Sequence, residues 1–197
     1  WHIRQALARG SMNKKLIIIF SIFAIIFVGR IIPHPYNFTP LIGMTLLSGF
    51  LFKNRLLAMI IPLLSFWLSD IFINNYIYSG YYNGFTIFQS GMFWTYGSLL
   101  AISLIGSKFL SSSKISKVCL ASLSGSTIFF IISNLGVWFS SAMYAKSLAG
   151  LIQCYTLALP FYGSSLIGDL IYSSIFFSAY NLATSQNLFI ASAKQQI

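Results

Sequence analysis

Acidic residues are almost absent from this chain: Asp70 and Asp169 are the only two among 197 residues. Charged residues of both signs make up 7% of the sequence, whereas a soluble domain carries about 25%. Hydrophobic residues make up 57%, and the mean hydropathy is +0.79. Because apolar runs long enough to cross a bilayer recur, the composition excludes an ordinary soluble domain and predicts an all-α integral membrane protein surrounded by the lipid bilayer.

Residues that usually carry catalysis are also scarce. Cys119 and Cys154 are the only cysteines, and their separation resembles neither a disulfide framework nor a zinc motif. His34 is the only histidine apart from His2. This scarcity favours a transporter or binding protein that requires no cofactor over an enzyme, although a membrane enzyme with His34 as its base stays open.

The formal net charge of +10 does not indicate nucleic-acid binding, because the sequence has no polar surface on which basic residues would cluster. Residues 1–11 resemble an expression leader that ends in a cloning junction, Gly10-Ser11, directly before Met12. Without the two arginines of this leader the net charge is +8. We therefore expect residues 12–197 to form a single transmembrane domain.

Apolar runs predict six transmembrane helices. They cover about 16–32, 40–52, 56–73, 88–107, 117–135 and 164–184. The second helix is short and contains glycine, so we expect it to be tilted or partly sheltered by protein. Residues 148–159 are expected to form a separate helix that lies outside the membrane or re-enters it and is broken at Pro160.

The basic residues support this topology. Eight of the ten that follow residue 11 fall on one side of the six-helix arrangement: Lys14, Lys15, Lys53, Arg55, Lys108, Lys114, Lys117 and Lys194. Only Arg30 and Lys146 fall on the other side. Because cytoplasmic loops carry an excess of lysine and arginine, this asymmetry predicts a multi-pass protein of a bacterial inner membrane with both termini in the cytoplasm.

The loop between the first two predicted helices is rich in proline. Residues 33–40, PHPYNFTP, hold three of the five prolines of the chain. Proline fixes its own φ and restrains the residue before it, so the loop is expected to be stiff. It presents His34 and Asn37 as candidate ligand contacts at the outer end of the first helix. The alternative is a turn that only joins two helices.

Other polar membrane residues fall near the same side. Asp70, Asn134, Trp138 and Asp169 are all predicted near the outer ends of their helices. An ionised carboxylate inside a membrane costs about 2.5–3.5 kcal/mol on insertion scales, so each aspartate needs a partner. These residues predict a ligand cavity that opens to the outside. The alternative is that the aspartates pair with Arg30 or cap nearby backbone.

The predicted outer segments are aromatic. Residues 74–87 are rich in tyrosine, asparagine and glycine and carry no charge. Tyr81 and Tyr82 could belong to a mobile lid over a flat ligand, or to an aromatic belt at the membrane surface. Tyr155, in the outer segment 136–163, is a further candidate ligand contact.

Several motifs resemble those of a known family. The stretch 30–40, RIIPHPYNFTP, resembles the signature of small bacterial membrane proteins that are similar to the substrate-binding S-components of energy-coupling factor transporters, close to the BtuM-type vitamin B12 uptake proteins. Shorter matching motifs follow in order: LSD at 68–70, SNLGVW at 133–138, LAG at 148–150, CY at 154–155, PF at 160–161 and GDL at 168–170.

This resemblance implies a six-helix S-component bundle that captures a corrinoid (cobalamin) near the outer face. It implies that His34 and Asp70 lie at the ligand cavity, that His34 is a candidate cobalt ligand, and that an energising module of the energy-coupling factor type is a candidate partner. The chain lacks a cysteine in 71–95 and has Gly163 where relatives often carry arginine. These differences keep three alternatives open: uptake of another vitamin or precursor, a corrinoid- or lipid-modifying enzyme, and a membrane scaffold.

Overall fold

The computed structural model describes the backbone of residues 2–194 except 53, 83 and 111, and the side chains of residues 16–185 with the same exceptions. Over these residues the chain is all-helical, as predicted from the composition, and has no β-strand. Its α-helices are α1 (His2–Ile31), α2 (Leu41–Leu51), α3 (Arg55–Phe72), α4 (Met92–Lys108), α5 (Ile115–Ser140) and α6 (Leu148–Lys194). A π-helical turn, Ile73–Ile77, and a 3₁₀ turn, Ser79–Tyr81, follow α3.

Three segments are long and apolar enough to cross a membrane. They are α3 with its π-helical turn (Arg55–Ile77), α5 (Ile115–Ser140) and α6 over Leu148–Ser185. The apolar part of α1 (Leu16–Ile31) and the whole of α2 are shorter. The chain is therefore a membrane protein with helical membrane segments, and the crossing of all six helices stays a prediction.

The short helix α2 forms the centre of the bundle. It packs against each of the other five helices, and nine of its eleven residues are buried. Of the two predicted alternatives for the second helix, shelter by protein is thus the one that the structure shows. Because α2 meets protein on every side, it does not need to be long enough to span the lipid by itself.

The other five helices surround α2 in the order α1, α3, α4, α5 and α6. Each packs closely against the next one along this order. Within the described residues, however, α1 and α6 do not pack extensively against each other. The ring of helices is therefore open between α1 and α6.

A polar contact joins α2, α3 and α4 inside the bundle, and we call it the carbonyl hub. Pro62 lies within α3; proline has no N–H, so the carbonyl oxygen of Ala58 loses its helical donor. The hydroxyl groups of Ser48 and Ser103 both donate to this oxygen at 3.0 Å. The helix crossing beside it is close, because a Cβ atom on Gly106 would lie 2.4 Å from the carbonyl oxygen of Leu46.

Helix α6 differs from the prediction. It is one continuous helix through Pro160, so the expectation of a separate helix broken at this proline is wrong. Helix α5 holds α6 on both sides of the proline. The hydroxyl of Tyr155 donates to the carbonyl oxygen of Ile131 at 2.6 Å, and the hydroxyls of Thr127 and Tyr162 are 2.8 Å apart. The loss of one helical hydrogen bond is tolerated because neighbouring contacts keep the helix in place.

Candidate functional site

The chain reverses direction at each connection, so three connecting segments lie at one end of the bundle. The guanidinium of Arg30, at the end of α1, reaches Asp70 near the end of α3. The hydroxyl of Ser90, before α4, donates to the carbonyl oxygen of Ser140, at the end of α5. We call this the cavity end. The opposite end carries most of the described basic residues: Arg55, Lys108, Lys114 and Lys117.

A cavity of about 480 Å³ opens at the cavity end. Its lining comes from the end of α1, the proline-rich loop, the π-helical turn after α3, and the facing residues of α5 and α6. It therefore occupies the region where the ring of helices is open. Three of the predicted ligand contacts, His34, Asn37 and Asp169, line it together.

The proline-rich loop is shaped by local hydrogen bonding and by contact with α6. Asn37 adopts a left-handed conformation with φ of 59°, which asparagine tolerates better than most residues. The N–H of Phe38 donates to the carbonyl oxygen of Pro35 at 3.0 Å. The ring of Phe38 lies against Gly168, where an added Cβ would be 3.0 Å from a ring atom. Gly168 thus lets the loop rest directly on α6 beside Asp169.

His34 lies exposed at the cavity wall. Its Nδ1 atom is 2.8 Å from the carbonyl oxygen of Pro35. A carbonyl oxygen only accepts, so Nδ1 carries the hydrogen of this contact, and in the neutral ring Nε2 keeps its lone pair. The loop therefore presents an imidazole nitrogen that can accept a hydrogen bond or bind a metal ion.

Arg30 and Asp70 form a partly buried ion pair with 2.6 Å between Nη2 and Oδ1. The other terminal nitrogen of Arg30 donates to the carbonyl oxygen of Phe66 and to the hydroxyl of Ser69. The guanidinium also lies 3.8 Å from the centre of the Phe66 ring. Arg30 lines the cavity, whereas Asp70 stands behind it and contributes through Arg30.

Asp169 is the most deeply buried ionisable group at the cavity, with 1% of its surface exposed. Its Oδ2 atom accepts hydrogen bonds from Ser126 at 2.6 Å and from Ser165 at 3.0 Å. Among the described residues, no lysine or arginine forms an ion pair with it. The cavity therefore contains a buried carboxyl group that has no ionic partner among the described side chains.

Tyr81 and Tyr82 do not line the cavity. Tyr81 is 86% exposed, and its ring packs edge-on against Tyr78. The hydroxyl of Tyr82 donates to the side chain of Gln89 at 3.0 Å. Their predicted contact with a ligand requires a movement of this segment toward the cavity.

Asn134, Trp138 and Tyr155 also lie outside the cavity lining. Asn134 lies eight residues beyond Ser126 along α5, which is about 12 Å at the helical rise. Each of the three side chains donates a hydrogen bond to a backbone carbonyl oxygen: Asn134 to Phe130, Trp138 to Ala145 and Tyr155 to Ile131. The structure therefore separates these three residues from the group around Asp169.

Comparison with known families gives one match. The sequence model of DUF6580, described as a family of unknown function, matches residues 10–193. The chain belongs to this family. No curated protein and no solved structure matches it significantly. The function of this DUF6580 protein must therefore be argued from its cavity.

Sequence reasoning did not identify several residues that line this DUF6580 cavity. Phe129, Tyr78 and Ser165 are the clearest examples. Ser165 precedes Asp169 by one helical turn, so helical spacing could have identified it. Phe129 has no comparable signal, because an aromatic residue in an apolar helix is indistinguishable in sequence from one that faces lipid.

Proposed function

We propose that this protein is the substrate-binding component of a membrane uptake system and captures a small nutrient from the outer side of a bacterial inner membrane. The observation that carries this proposal is the cavity with Arg30 and Asp169 at the end opposite the basic residues. If the basic end faces the cytoplasm, the cavity opens outward. The proposal includes six membrane crossings with both termini in the cytoplasm.

The cavity volume favours a ligand of ordinary vitamin or precursor size. Small-molecule sites typically measure about 300–1,000 Å³ and enclose most of their ligand, and this cavity measures about 480 Å³. A corrinoid macrocycle with its side groups is too large to be enclosed in such a space. We therefore place a smaller vitamin or precursor first.

A corrinoid is the second candidate, and His34 favours it. Its Nε2 atom forms no hydrogen bond with the described residues at the exposed rim of the cavity, and imidazole nitrogen suits transition metals such as cobalt. In this arrangement the macrocycle lies across the cavity mouth and His34 coordinates the metal of the cargo. The interior of the cavity then holds only a peripheral group of the corrinoid.

Transport requires the ligand to leave on the cytoplasmic side. The opening between α1 and α6 allows these two helices to separate without breaking an extensive contact, while the carbonyl hub keeps α2, α3 and α4 together. The proposal is that the bundle tilts or opens along this line. An energising module encoded elsewhere is the proposed partner for that step.

Native mass spectrometry of protein purified in mild detergent tests the uptake proposal. The wild-type protein, purified from cells or incubated with a mixture of vitamins, is expected to carry a small molecule. Ser165→Phe fills the cavity and should abolish this binding. Thr156→Phe adds the same ring to an exposed position of α6 and should retain it. A wild-type protein that binds nothing, or equal retention in both variants, contradicts the proposal.

Visible absorption spectra with hydroxocobalamin test the second candidate. A band shift that His34→Ala removes supports cobalt binding at His34. A shift that survives His34→Ala keeps the corrinoid and rejects the ligation. If the wild-type protein gives no shift, the corrinoid is excluded and the smaller ligand stands.

A further inference from the structure

One of the two acidic side chains at the cavity end has an ionic partner and the other has none among the described residues. Arg30 contributes one positive charge, but Asp70 binds it directly. The carboxylate of Asp169 is then left with only two serine hydroxyls as partners. His34 faces the cavity from the proline-rich loop, yet its ring is exposed at the rim. The described residues thus leave the buried carboxyl group of Asp169 without a counter-charge, beside a cavity of about 480 Å³.

We propose that the ligand of this cavity is a small organic cation whose positively charged nitrogen binds the carboxylate of Asp169. This inference rests on the proposed function, since it names the chemical class of the molecule captured there. Both serine hydroxyls donate to Oδ2, so neither of them occupies Oδ1. A buried carboxylate is stabilised when an opposite charge comes close, and a ligand ammonium or ring cation supplies that charge.

Aromatic residues of the lining support the same class of ligand. Phe66, Phe129 and Tyr78 all line the cavity. An aromatic face attracts a cation through its quadrupole, and the lining already shows this contact once, because the Arg30 guanidinium lies over the Phe66 ring. Phe129 and Tyr78 extend the aromatic surface, so an organic cation meets both a carboxylate and aromatic rings.

An anionic ligand is disfavoured because the Arg30 guanidinium already has partners within the protein. The guanidinium donates to Phe66, Ser69 and Asp70. An anion that recruited Arg30 would leave the carboxylate of Asp70 buried without its counter-charge. The second oxygen of Asp70, Oδ2, is already buried without a hydrogen-bond partner among the described residues, so this loss would be severe.

Two matched probes test the inference on the full chain in detergent at pH 8. N-methylquinolinium is a flat aromatic cation, and quinoline is its neutral counterpart. Equilibrium dialysis should show at least about tenfold tighter binding of the cation, as expected for a partly buried charge partner. Asp169→Asn should abolish this preference. Ser173→Ala removes a neighbouring hydroxyl contact between α5 and α6, with Ser122, away from the cavity lining, and should preserve it.

Ser165→Lys provides a second, independent variant. It places a tethered ammonium one helical turn before Asp169 on the same face of α6. The variant should be more heat-stable than the wild-type protein and should no longer bind N-methylquinolinium. Because it replaces the Ser165 hydroxyl donor with an ammonium and keeps the Asp169 side chain, it remains informative even if Asp169→Asn does not fold.

Several outcomes would overturn the cationic ligand. Equal affinity for the two probes would show that Asp169 takes up a proton instead of a cation. A preference that survives Asp169→Asn, or binding of neither probe at millimolar concentration, would also reject it. A neutral or anionic molecule found by native mass spectrometry would reject the cation while leaving the uptake proposal intact, because that proposal is tested by Ser165→Phe and not by ligand charge.

Discussion

Buried polar groups have hydrogen-bond partners at the carbonyl hub, whereas some of those at the cavity end lack a partner. At the hub, the carbonyl oxygen freed by Pro62 receives two hydroxyl donors, from Ser48 and Ser103. At the cavity, Asp169 has no ionic partner among the described residues and Asp70 keeps one oxygen unpaired. A satisfied polar contact fixes helices in one arrangement. An unsatisfied one beside open space marks a place where a ligand is expected.

Gly106→Leu should produce the largest effect, because it breaks the hub. A Cβ at this position meets the backbone of α2 at 2.4 Å, and backbone cannot move aside as a flexible side chain can. Such overpacking should cost about 3 kcal/mol or more and prevent folding. The measurement is the monodisperse fraction in size-exclusion chromatography after detergent extraction.

Gly97→Leu is the matched control for this change. It lies on the same helix, but a Cβ there meets no atom within 4 Å. The variant should fold as the wild-type protein does. Equal loss of folded protein in both variants would show that α4 rejects leucine generally, and that the close crossing at Gly106 is not the cause.

Asp70→Asn and Asp169→Asn should change stability in opposite directions. Asp70→Asn leaves Arg30 without its counter-charge and should destabilise the protein by about 3 kcal/mol. This value is the lower end of the range for breaking a buried ion pair, and we choose it because 15% of the Arg30 side chain is exposed. The second removes an uncompensated carboxylate while its oxygen can still accept from serine, and should stabilise by about 1 kcal/mol. Thermal unfolding in detergent measures both.

The sign of the Asp169 effect is the decisive part of this pair. If both substitutions destabilise the protein to a similar extent, then Asp169 is a structural residue like Asp70. The contrast between paired polar groups in the bundle and an unpaired carboxyl group at the cavity then does not hold. Lys146→Ala serves as the control, because it removes an exposed cation at the same end of the bundle and should change stability only slightly.

Serine substitutions at the hub should show strong non-additivity. Ser48→Ala or Ser103→Ala alone leaves one donor on the Ala58 carbonyl oxygen, so each should cost about 0.6 kcal/mol, the average for such bonds in membranes. The double variant leaves that oxygen buried without any donor and should cost about 2 kcal/mol. A double-variant cycle measured by unfolding detects the difference. Simple addition would mean that lipid or water replaces the donors.

Some features of the fold and of the cavity were predictable from the sequence because they depend on local residue properties. Asp169 is a carboxylate inside an apolar run, so a buried polar cluster around it follows from the cost of exposing it to lipid. The position of His34 and Asn37 at the cavity was predictable because prolines restrict the backbone of the loop that carries them. The central position of α2 follows from its length, which is too short to face lipid on all sides.

Which of the other predicted ligand contacts line the cavity depends on how neighbouring helices are aligned. Asn134, Trp138 and Tyr155 have the residue types of ligand contacts, but each donates to a backbone carbonyl oxygen. The Asn134 bond lies within α5 itself. The carbonyl oxygen that Tyr155 reaches is set by the register between α5 and α6, and the one that Trp138 reaches is set by the turn that joins these helices. Long-range register has no signature in a single sequence, so these residues could not be separated from the cavity lining in advance.

Pro160→Ala should have the smallest effect and tests why α6 continues through a proline. In an isolated helix the substitution would stabilise by about 3 kcal/mol. Here α5 already holds α6 on both sides through Tyr155 and Tyr162, so we expect a gain below about 1 kcal/mol in thermal unfolding and unchanged ligand binding. A large gain would mean that Pro160 strains α6 and that the contacts with α5 do not compensate for the lost hydrogen bond.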